Sequence, residues 1–256
     1  EKSGGRMHID VFANAQLASD RDCIEGMQMN TIQSGIMVSS ALAGFTDELL
    51  VFDLPFLFEN SAQGQAVCDS DVGQQILGTL EDIGIKGLGW MEYGMRNITN
   101  SVRPIEKPED LQGIKIRTME NQNHMVFWSA LGAAPTPLAW PEVYISLQNG
   151  TIDAQENAAD TCMTSNFQEV QKYLNFTNHI LYLNQIIINN DKFNSLDPLY
   201  QDALTQAVEE AIAELRPALT ELDKSSKDTL AAGGMEMVEY APEFYDEILN
   251  LQGVQD

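Results

Sequence analysis

Residues 113–121 read Gly-Ile-Lys-Ile-Arg-Thr-Met-Glu-Asn and join a predicted strand to a predicted helix. Ile114 and Ile116 alternate with polar residues, which is the pattern of a half-buried strand. An apolar run with helical period follows and stops at Gly132, a residue type that favours the end of a helix. The pattern therefore predicts Arg117 at the carboxyl end of a strand, just before a helix begins.

Arg117 is the first candidate binding residue. In open α/β sheets, ligands bind at the carboxyl ends of the strands. An arginine side chain holds a carboxylate through two parallel, charge-assisted hydrogen bonds. We therefore expect Arg117 to bind an organic anion. The alternative is an arginine that is solvated or that pairs with a carboxylate of the protein.

Strands and helices alternate along the rest of the chain. Predicted strands cover residues 8–12, 35–38, 86–90, 95–99, 152–154, 180–189 and 235–238. Predicted helices cover residues 22–32, 62–83, 121–131, 141–150, 160–174 and 198–233, the last with a kink at Pro217. This order predicts an α/β fold. The sequence contains no internal repeat and no flexible linker, so two lobes would have to be joined by strands or by the long helix.

The chain is strongly acidic. Its 256 residues, 44% of them hydrophobic, are enough for one large domain or two small ones. It carries 14 Lys and Arg against 38 Asp and Glu, a formal net charge of −24. That charge disfavours nucleic acids and anionic membranes as partners and repels free anions at long range. For an anionic ligand, positive charge must therefore be concentrated locally, although the charge alone also fits an acidic soluble protein.

The chain lacks the sequence patterns of many catalytic and metal sites. Its three cysteines, Cys23, Cys68 and Cys162, form no Cys-x-x-Cys motif, and its three histidines have no partner at helical spacing. GxSxG, Walker and GxGxxG motifs are absent. We therefore expect no metal and no cofactor, and no apolar run reaches the roughly 18 residues of a membrane span. An α/β enzyme acting on an organic acid, with Cys162 or His124 in its chemistry, remains an alternative.

Several segments, taken in order, resemble a known family. They are Asp53–Phe58, Lys107–Leu111, Gly113–Arg117, Ala130–Pro137, Glu142–Tyr144, Leu147–Gly150, Asp153–Asn157, Glu169–Leu174 and Thr177–His179. Together they closely resemble the extracytoplasmic solute receptors of TRAP transporters, the DctP-like family. The resemblance covers nearly the whole chain. It implies a non-enzymatic receptor that binds a small organic acid in the periplasm and delivers it to TRAP membrane transporter subunits.

The resemblance implies an α/β fold of the two-lobed periplasmic binding protein type. Each lobe would be a sheet flanked by helices, and hinge strands and a long helix would join the lobes. Residues 1–92 would form lobe I, residues 93–182 lobe II with the carboxylate anchor, and residues 183–256 the returning strand, the long spanning helix and the C-terminal segment. In the family, a first strand and helix precede the segment that matches Ser3–Arg6, so we expect both to be missing from lobe I.

The resemblance also implies roles for individual residues. Arg117 corresponds to the carboxylate-binding arginine of the family, and Arg96 to a second arginine. The further ligand-binding candidates are Asn157, the aromatic Trp140, Asn184 or Gln185 on the returning strand, and, from lobe I, Asp20 and the loop Val38 to Ala41 with Ser39. Trp140 could instead belong to the core, and Arg96 could pair with a carboxylate of the protein.

The expected ligand is a monocarboxylate with hydroxyl groups, such as a sugar acid, because Trp140 and side-chain amides accompany the positive charge. A C4-dicarboxylate or a 2-oxo acid stays an alternative, for which Arg96 would supply a second cation. The loop at residues 38–41 lacks the charged residues of sialic-acid receptors, which argues against sialic acid. A sensory ligand-binding protein that reports to a membrane receptor kinase fits the same residues.

Overall fold

The computed structural model describes residues 2–251 and 254 and contains two separate β-sheets. The strands are β1 (Ser34–Val38), β2 (Ile85–Met95), β3 (Asn97–Asn100), β4 (Lys115–Thr118), β5 (Ala134–Pro137), β6 (Ala154–Asn157), β7 (Tyr173–Asn175), β8 (Leu181–Asn189) and β9 (Glu236–Val238). The helices are α1 (Asp20–Gln28), α2 (Ser39–Leu42), α3 (Ser61–Cys68), α4 (Asp71–Gly78), α5 (Gln122–Ala130), α6 (Trp140–Gln148), α7 (Ala159–Thr164), α8 (Asn190–Asn194), α9 (Pro198–Ala232) and α10 (Pro242–Leu249). Short 3-10 helices cover Asp47–Asp53, Thr79–Ile83, Pro108–Leu111 and Phe167–Glu169.

Each sheet has its own hydrophobic core. The first sheet has three antiparallel strands in the order β1-β8-β2, and Leu49, Phe52 and Trp90 belong to its core. The second has six strands in the order β5-β4-β6-β3-β7-β9, and Phe127 and Trp128 belong to one of its cores. In the second sheet β4 is parallel to β5 and β6, whereas β3 is antiparallel to β6 and β7. The predicted two-lobed α/β architecture is confirmed.

Two chain crossings and one long helix connect the lobes. β2 ends at Met95 in the first sheet and β3 begins at Asn97 in the second, so Arg96 lies at the crossing. The returning chain runs beside it, because the Arg96 N–H donates to the Ile180 carbonyl over 2.7 Å. α9 packs against β2 of the first lobe and against α7 of the second. The boundaries expected after residues 92 and 182 stay predictions.

One predicted strand is wrong. Residues 8–12 alternate polar and apolar side chains, but no described strand pairs with them and they adopt no regular structure. A strand is stabilised by hydrogen bonds to a neighbouring strand, so alternation alone does not produce one. The side chains of Ile9, Val11 and Phe12 are accordingly exposed.

Two predicted helices are shorter than expected. The helix predicted over residues 62–83 is divided, because the Ser70 hydroxyl accepts a backbone hydrogen bond and starts α4 as a new helix. The helix predicted over residues 160–174 ends at Thr164, and its last two residues belong to β7. The backbone of β7 pairs with β3 on one side and with β9 on the other, and these hydrogen bonds favour the extended conformation.

Candidate ligand-binding site

β4 and α5 position Arg117 as the sequence predicts. Arg117 is the third residue of β4, which lies between β5 and β6 in the parallel part of the second sheet. The Asn121 side chain begins α5 by accepting the His124 N–H over 3.2 Å. The helix ends before Gly132, whose φ of +80° is the left-handed conformation that favours glycine.

Arg117 is a buried cation, 3% exposed, and no carboxylate of the described residues forms an ion pair with it. Its Nε–H donates to the Leu138 carbonyl over 2.8 Å, and its guanidinium lies 5.5 Å from the centre of the Trp140 ring. In the part of the chain that the structure describes, no Asp or Glu oxygen lies within 4.0 Å of it. Burial lowers the pKa of Arg117 to about 10, and the charge of Glu156 opposes that effect. The two terminal nitrogens therefore remain available to a carboxylate.

Arg96 forms a buried ion pair with Glu156, which is the alternative interpretation given above. Its Nε and Nη2 donate to the two carboxylate oxygens over 2.6 and 2.9 Å, and Nη2 also donates to the Glu156 carbonyl over 2.7 Å. Burial lowers the pKa of Arg96, but Glu156 outweighs burial and the pKa is raised. Because this pair balances the charge of Arg96, its direct contact with a ligand stays a prediction.

Asn157 and Trp140 lie beside the two arginines. The Asn157 Oδ1 accepts from Arg96 Nη1 over 3.2 Å and from the next backbone N–H over 3.0 Å. With its oxygen engaged, the side chain can offer its Nδ2 donors to a ligand. Trp140 is half-buried, flanks Arg117 and packs against Phe167 with ring centres 5.7 Å apart. Trp140 therefore packs against the core of the second lobe and also lies next to Arg117.

The first lobe contributes Ser39 and Asp20. Ser39 begins α2 directly after β1 and is 2% exposed, and its hydroxyl has no hydrogen-bond partner among the described residues. Asp20 lies in the first turn of α1. Burial raises the pKa of Asp20, whereas the positive charge of Arg117 lowers it. The Asp20 carboxyl of the first lobe and the Arg117 guanidinium of the second therefore interact electrostatically.

Asn184 and Gln185 are neighbours in β8, so their side chains point to opposite faces of the first sheet. Gln185 is in register with Met37 and Trp90, which pack in the hydrophobic core, and its amide has no partner among the described residues. The Asn184 side chain lies near the Tyr93 hydroxyl and lowers the pKa of that group, which burial raises. Asn184 therefore lies beside Tyr93, whereas Gln185 faces the core of the first lobe, and contact of either residue with a ligand stays a prediction.

Two tyrosines on the connecting strands were missed by sequence reasoning. Tyr93 lies in β2 and Tyr182 in β8, with ring centres 5.2 Å apart. The Arg96 guanidinium lies 5.0 Å from the centre of the Tyr182 ring, a cation–π distance. Burial raises the pKa of Tyr182 to about 12, which keeps its hydroxyl neutral. Together the rings form an aromatic surface at the crossing between the lobes.

A buried polar chain next to the arginines was also not predicted. His124 Nε2 lies 3.2 Å from Asp53 Oδ1, and His124 Nδ1 lies 3.5 Å from Glu156 Oε1. His179 Nε2 lies 3.0 Å from Glu156 Oε2, and these four side chains are at most 2% exposed. Asp53, Glu156 and His179 fall in segments that carry the family resemblance, but residues so far apart in sequence give no signal of their pairing.

Neighbouring side chains along this buried polar chain favour opposite charges. Burial lowers the pKa of His124, but the hydrogen bond to Asp53 and the nearby Glu156 carboxylate outweigh burial and raise the pKa to about 9. Burial opposes the charge of Glu156, yet Arg96 and the imidazoles hold the pKa of that carboxyl well below its usual range. Burial lowers the pKa of His179, which is therefore neutral. The His124 ring therefore lies between the carboxyl groups of Asp53 and Glu156, and Glu156 also pairs with Arg96.

Cys162, one of the two residues named for an enzyme, lies in unreactive surroundings. Cys162 is fully buried, Gln155 donates to its Sγ over 3.4 Å, and burial raises its pKa to about 12, so the thiol is neutral. Across residues 2–251 and 254, no three His, Cys, Asp or Glu side chains come together in a way that could hold a metal ion. The same residues include no helix with the length and apolarity that crossing a membrane requires.

Comparison with known proteins identifies the family of this chain. Residues 1–250 match the family described as bacterial extracellular solute-binding protein, family 7. The 2,3-diketo-L-gulonate-binding periplasmic protein YiaO of Escherichia coli (strain K12) is 33% identical over 238 residues, which are 93% of this chain and 73% of that protein. The C4-dicarboxylate-binding periplasmic protein DctP of Shewanella loihica is 31% identical over 229 residues, 88% of this chain and 68% of that protein.

A solved structure has the same fold over almost the whole chain. It is a TRAP periplasmic solute-binding protein from Sulfitobacter sp. NAS-14.1 with bound β-D-galacturonate. The TM-score is 0.95 at 29% sequence identity, and the match covers 99% of this chain and 84% of that chain.

Proposed function

Because the chain belongs to the bacterial extracellular solute-binding proteins of family 7, we propose that it binds a hydroxylated monocarboxylate of the sugar-acid class between its lobes. The family consists of solute receptors, so the chain is a receptor and not an enzyme. One observation carries the proposal. Arg117 is a buried arginine at the carboxyl end of a strand, and no described carboxylate balances its charge.

The binding mechanism begins on the second lobe. A ligand carboxylate accepts hydrogen bonds from the two terminal nitrogens of Arg117, and the Nδ2 group of Asn157 donates to a neighbouring oxygen. The carbon skeleton packs against Trp140. The first lobe then closes, so that the Ser39 hydroxyl and the Asp20 carboxyl meet the hydroxyl groups of the ligand. Closure excludes water, which strengthens the ion pair at Arg117.

The charge balance favours one carboxylate over two. Glu156 already neutralises Arg96, so the site offers one unpaired cation among the described residues. A second ligand carboxylate would lose its water without gaining a free cation, and it would approach the Asp20 carboxyl. Hydroxyl groups, in contrast, can donate to Asp20. The charges of the site therefore favour a sugar acid, such as the ligand of the Sulfitobacter protein, over a C4-dicarboxylate.

The C4-dicarboxylate remains the second candidate, because the relative from Shewanella loihica is named for that ligand. It would require Arg96 to contact a second carboxylate while it keeps its bond to Glu156. Isothermal titration with D-galacturonate, D-galactonate and succinate separates the candidates. We expect the sugar acids to bind at least about tenfold more tightly than succinate, a difference of about 1.4 kcal/mol. Tighter binding of succinate would contradict the charge argument.

Substitution of Arg117 tests the anchor. Arg117→Ala should weaken binding of the preferred acid by roughly 100-fold, because charge-assisted hydrogen bonds are lost in a buried site. Arg117→Lys should recover only part of the affinity, since an ammonium group cannot form the two parallel bonds. Arg6→Ala, an exposed arginine, is the matched control and should bind like the unchanged protein. An Arg117→Ala protein that folds and keeps its affinity would rule out the anchor.

We further propose that the receptor acts in the periplasm and delivers its ligand to TRAP membrane transporter subunits. The support comes from relatives, which are periplasmic and TRAP solute-binding proteins. Uptake of a radiolabelled sugar acid into proteoliposomes with the cognate TRAP subunits should depend on this receptor. A receptor that binds the acid but supports no uptake would favour the sensory alternative.

A further inference from the structure

We propose that Asp53 and His124 form a charged bridge between the lobes, and that this bridge positions the two halves of the ligand site. Ser39 belongs to the half on the first lobe, and Arg96 and Asn157 belong to the half on the second. The inference rests on the proposed function, because it concerns the same carboxylate site. Asp53 and His124 are positioning residues here and do not themselves contact the ligand.

Asp53 anchors the bridge on the first lobe. It ends the 3-10 helix Asp47–Asp53, and the preceding Phe52 packs in the core of the first lobe. Its Oδ1 accepts from the Ser40 hydroxyl over 2.5 Å, and its Oδ2 accepts from Asn121 Nδ2 over 2.7 Å. Ser40 directly follows Ser39 at the start of α2. Any shift of Asp53 therefore moves the turn that carries the Ser39 hydroxyl.

His124 anchors the bridge on the second lobe. It lies in the first turn of α5, the helix that contributes Phe127 and Trp128 to a core of the second lobe. Its ring is fully buried between two carboxylates, 3.2 Å from Asp53 and 3.5 Å from Glu156. Both ring nitrogens therefore face negative oxygens, an arrangement that favours the imidazolium.

Glu156 connects His124 to the ligand-binding residues of the second lobe. Its carboxylate receives Arg96 from one side and the two imidazoles from the other. The next residue in β6 is Asn157, which also accepts from Arg96. Buried contacts thus run from Ser40 through Asp53, His124 and Glu156 to Asn157.

The contacts between Asp53, His124 and Glu156 are electrostatic and not only van der Waals packing between the lobes. The charged and titratable groups around the His124 ring are Asp53 from the 3-10 helix, Glu156 from β6, and His179 and Arg96 from the two chain crossings. Removing the imidazolium leaves two buried carboxylates near each other with one cation fewer. Buried charges that lose a partner reorganise or take up protons. Either response displaces Ser40 or Glu156, and with them the residues that face the ligand.

Neutral contacts also hold this junction, so they provide the control. The Asn123 side chain, one residue before His124, donates to the Leu50 carbonyl of the first lobe over 3.0 Å. Asn123→Ala removes a bond between the same two segments without changing the buried charge. If the bridge acted only as generic packing, Asn123→Ala and His124→Gln would have similar effects on ligand affinity.

The test compares Asp53→Asn, His124→Gln, the double variant and Asn123→Ala, with D-galacturonate as the ligand. We expect each single charge variant to weaken binding by about tenfold or more and Asn123→Ala by less than about threefold. In the double variant the two losses should be clearly less than additive, because the two residues act as one pair. Charge variants that fold and keep the Kd of the unchanged protein would overturn the proposal, as would strictly additive losses.

Two ligand-free measurements separate this proposal from the choice of ligand and from failure to fold. Amide hydrogen exchange should be faster at residues 39–42 in Asp53→Asn than in the unchanged protein, whether or not galacturonate binds. If galacturonate fails to bind the unchanged protein while this exchange difference appears, the sugar-acid assignment fails and the bridge stands. NMR of the unchanged protein at pH 7 should show His124 as an imidazolium, and a neutral ring would overturn the bridge without any variant.

Discussion

Two buried arginines lie in one site, and their partners give them different roles. Arg96 is matched by Glu156, so it contributes a rigid scaffold with little net charge. Arg117 has a carbonyl and an aromatic ring as neighbours, and no described carboxylate, so its charge is available to a ligand. The same residue type is therefore charge-paired in one case and, as we propose, a ligand anchor in the other, because their long-range neighbours differ.

Titration of His124 should be visible in the stability of the protein. Its pKa is about 9 in the folded state, against about 6.5 for an ordinary histidine. The folded state therefore binds more protons between these values, and stability should fall as the pH rises from about 6.5 to about 9. The difference between these two pKa values corresponds to a loss of stability on the order of 3 kcal/mol. Urea unfolding at a series of pH values measures this slope.

His124→Gln provides the comparison for that slope. The cysteine thiols, whose pKa burial raises in the folded state, also titrate near pH 9 once the protein unfolds, and they are common to both proteins. The variant should therefore be less stable at pH 6.5 and should lose less stability up to pH 9 than the unchanged protein. Equal slopes in the two proteins would mean that His124 is not the titrating group. His179, whose pKa burial lowers, acts on the acidic side of this window.

At the scale of elements, Arg216 joins α9 to the first lobe through ion pairs, in addition to the packing of this helix against β2. Arg216 Nε and Nη2 donate to both oxygens of Glu92 in β2 over 2.9 Å. Its Nη1 and Nη2 also donate to Asp69 at the end of α3 over 2.9 and 2.7 Å. Glu92 is buried, and burial raises its pKa while Arg216 lowers it. Arg216 thus fixes the long helix against a strand that continues into the crossing at Arg96.

Arg216→Ala should therefore destabilise the fold. We expect a loss of about 1–3 kcal/mol, because Glu92 would be left buried without its cation while Asp69 regains water. Lys227→Ala is the control, since Lys227 forms an i,i+4 pair with Asp223 on the same helix and such pairs contribute only about 0.5 kcal/mol. Urea unfolding gives both values. Equal losses in the two variants would contradict the role given to Arg216.

At the scale of the whole molecule, the negative net charge of the protein disfavours the approach of the anionic ligand that we propose. The chain carries a net charge of −24, yet the proposed ligand is an anion. The negative surface repels the ligand at long range, and the buried cation attracts it only after it enters the site. Affinity and association rate should therefore respond differently to salt.

Added salt should speed ligand association. The Debye length is about 10 Å at 0.1 M salt, so surface repulsion is screened while the buried pair at Arg117 is affected less. Stopped-flow tryptophan fluorescence should report the rate, because Trp140 lies over Arg117. We expect the association rate to rise between 0.01 and 0.3 M NaCl, values chosen to move the Debye length from about 30 Å to below about 8 Å. A rate that falls with salt would show that the local field of Arg117 dominates the encounter.

The sequence by itself determined the local secondary structure around Arg117 and the family. The strand, the capped helix and Gly132 around Arg117 follow from periodicity and residue chemistry over about twenty neighbouring positions, and the ordered motifs identified the family. Such signals are local, because backbone preferences and side-chain periods act between residues close in the chain. They also placed Arg117 at the end of a strand, where the structure has it.

Only the tertiary structure decided which polar groups meet. Arg96 joins Glu156 across 60 residues, and His124 joins Asp53 across 71, and no pattern in the sequence encodes those partners. Strand register put Gln185 in a core and its neighbour Asn184 beside Tyr93, and the lack of a pairing strand left residues 8–12 irregular. The physical reason is that burial and charge pairing depend on long-range neighbours, which exist only once the chain has folded.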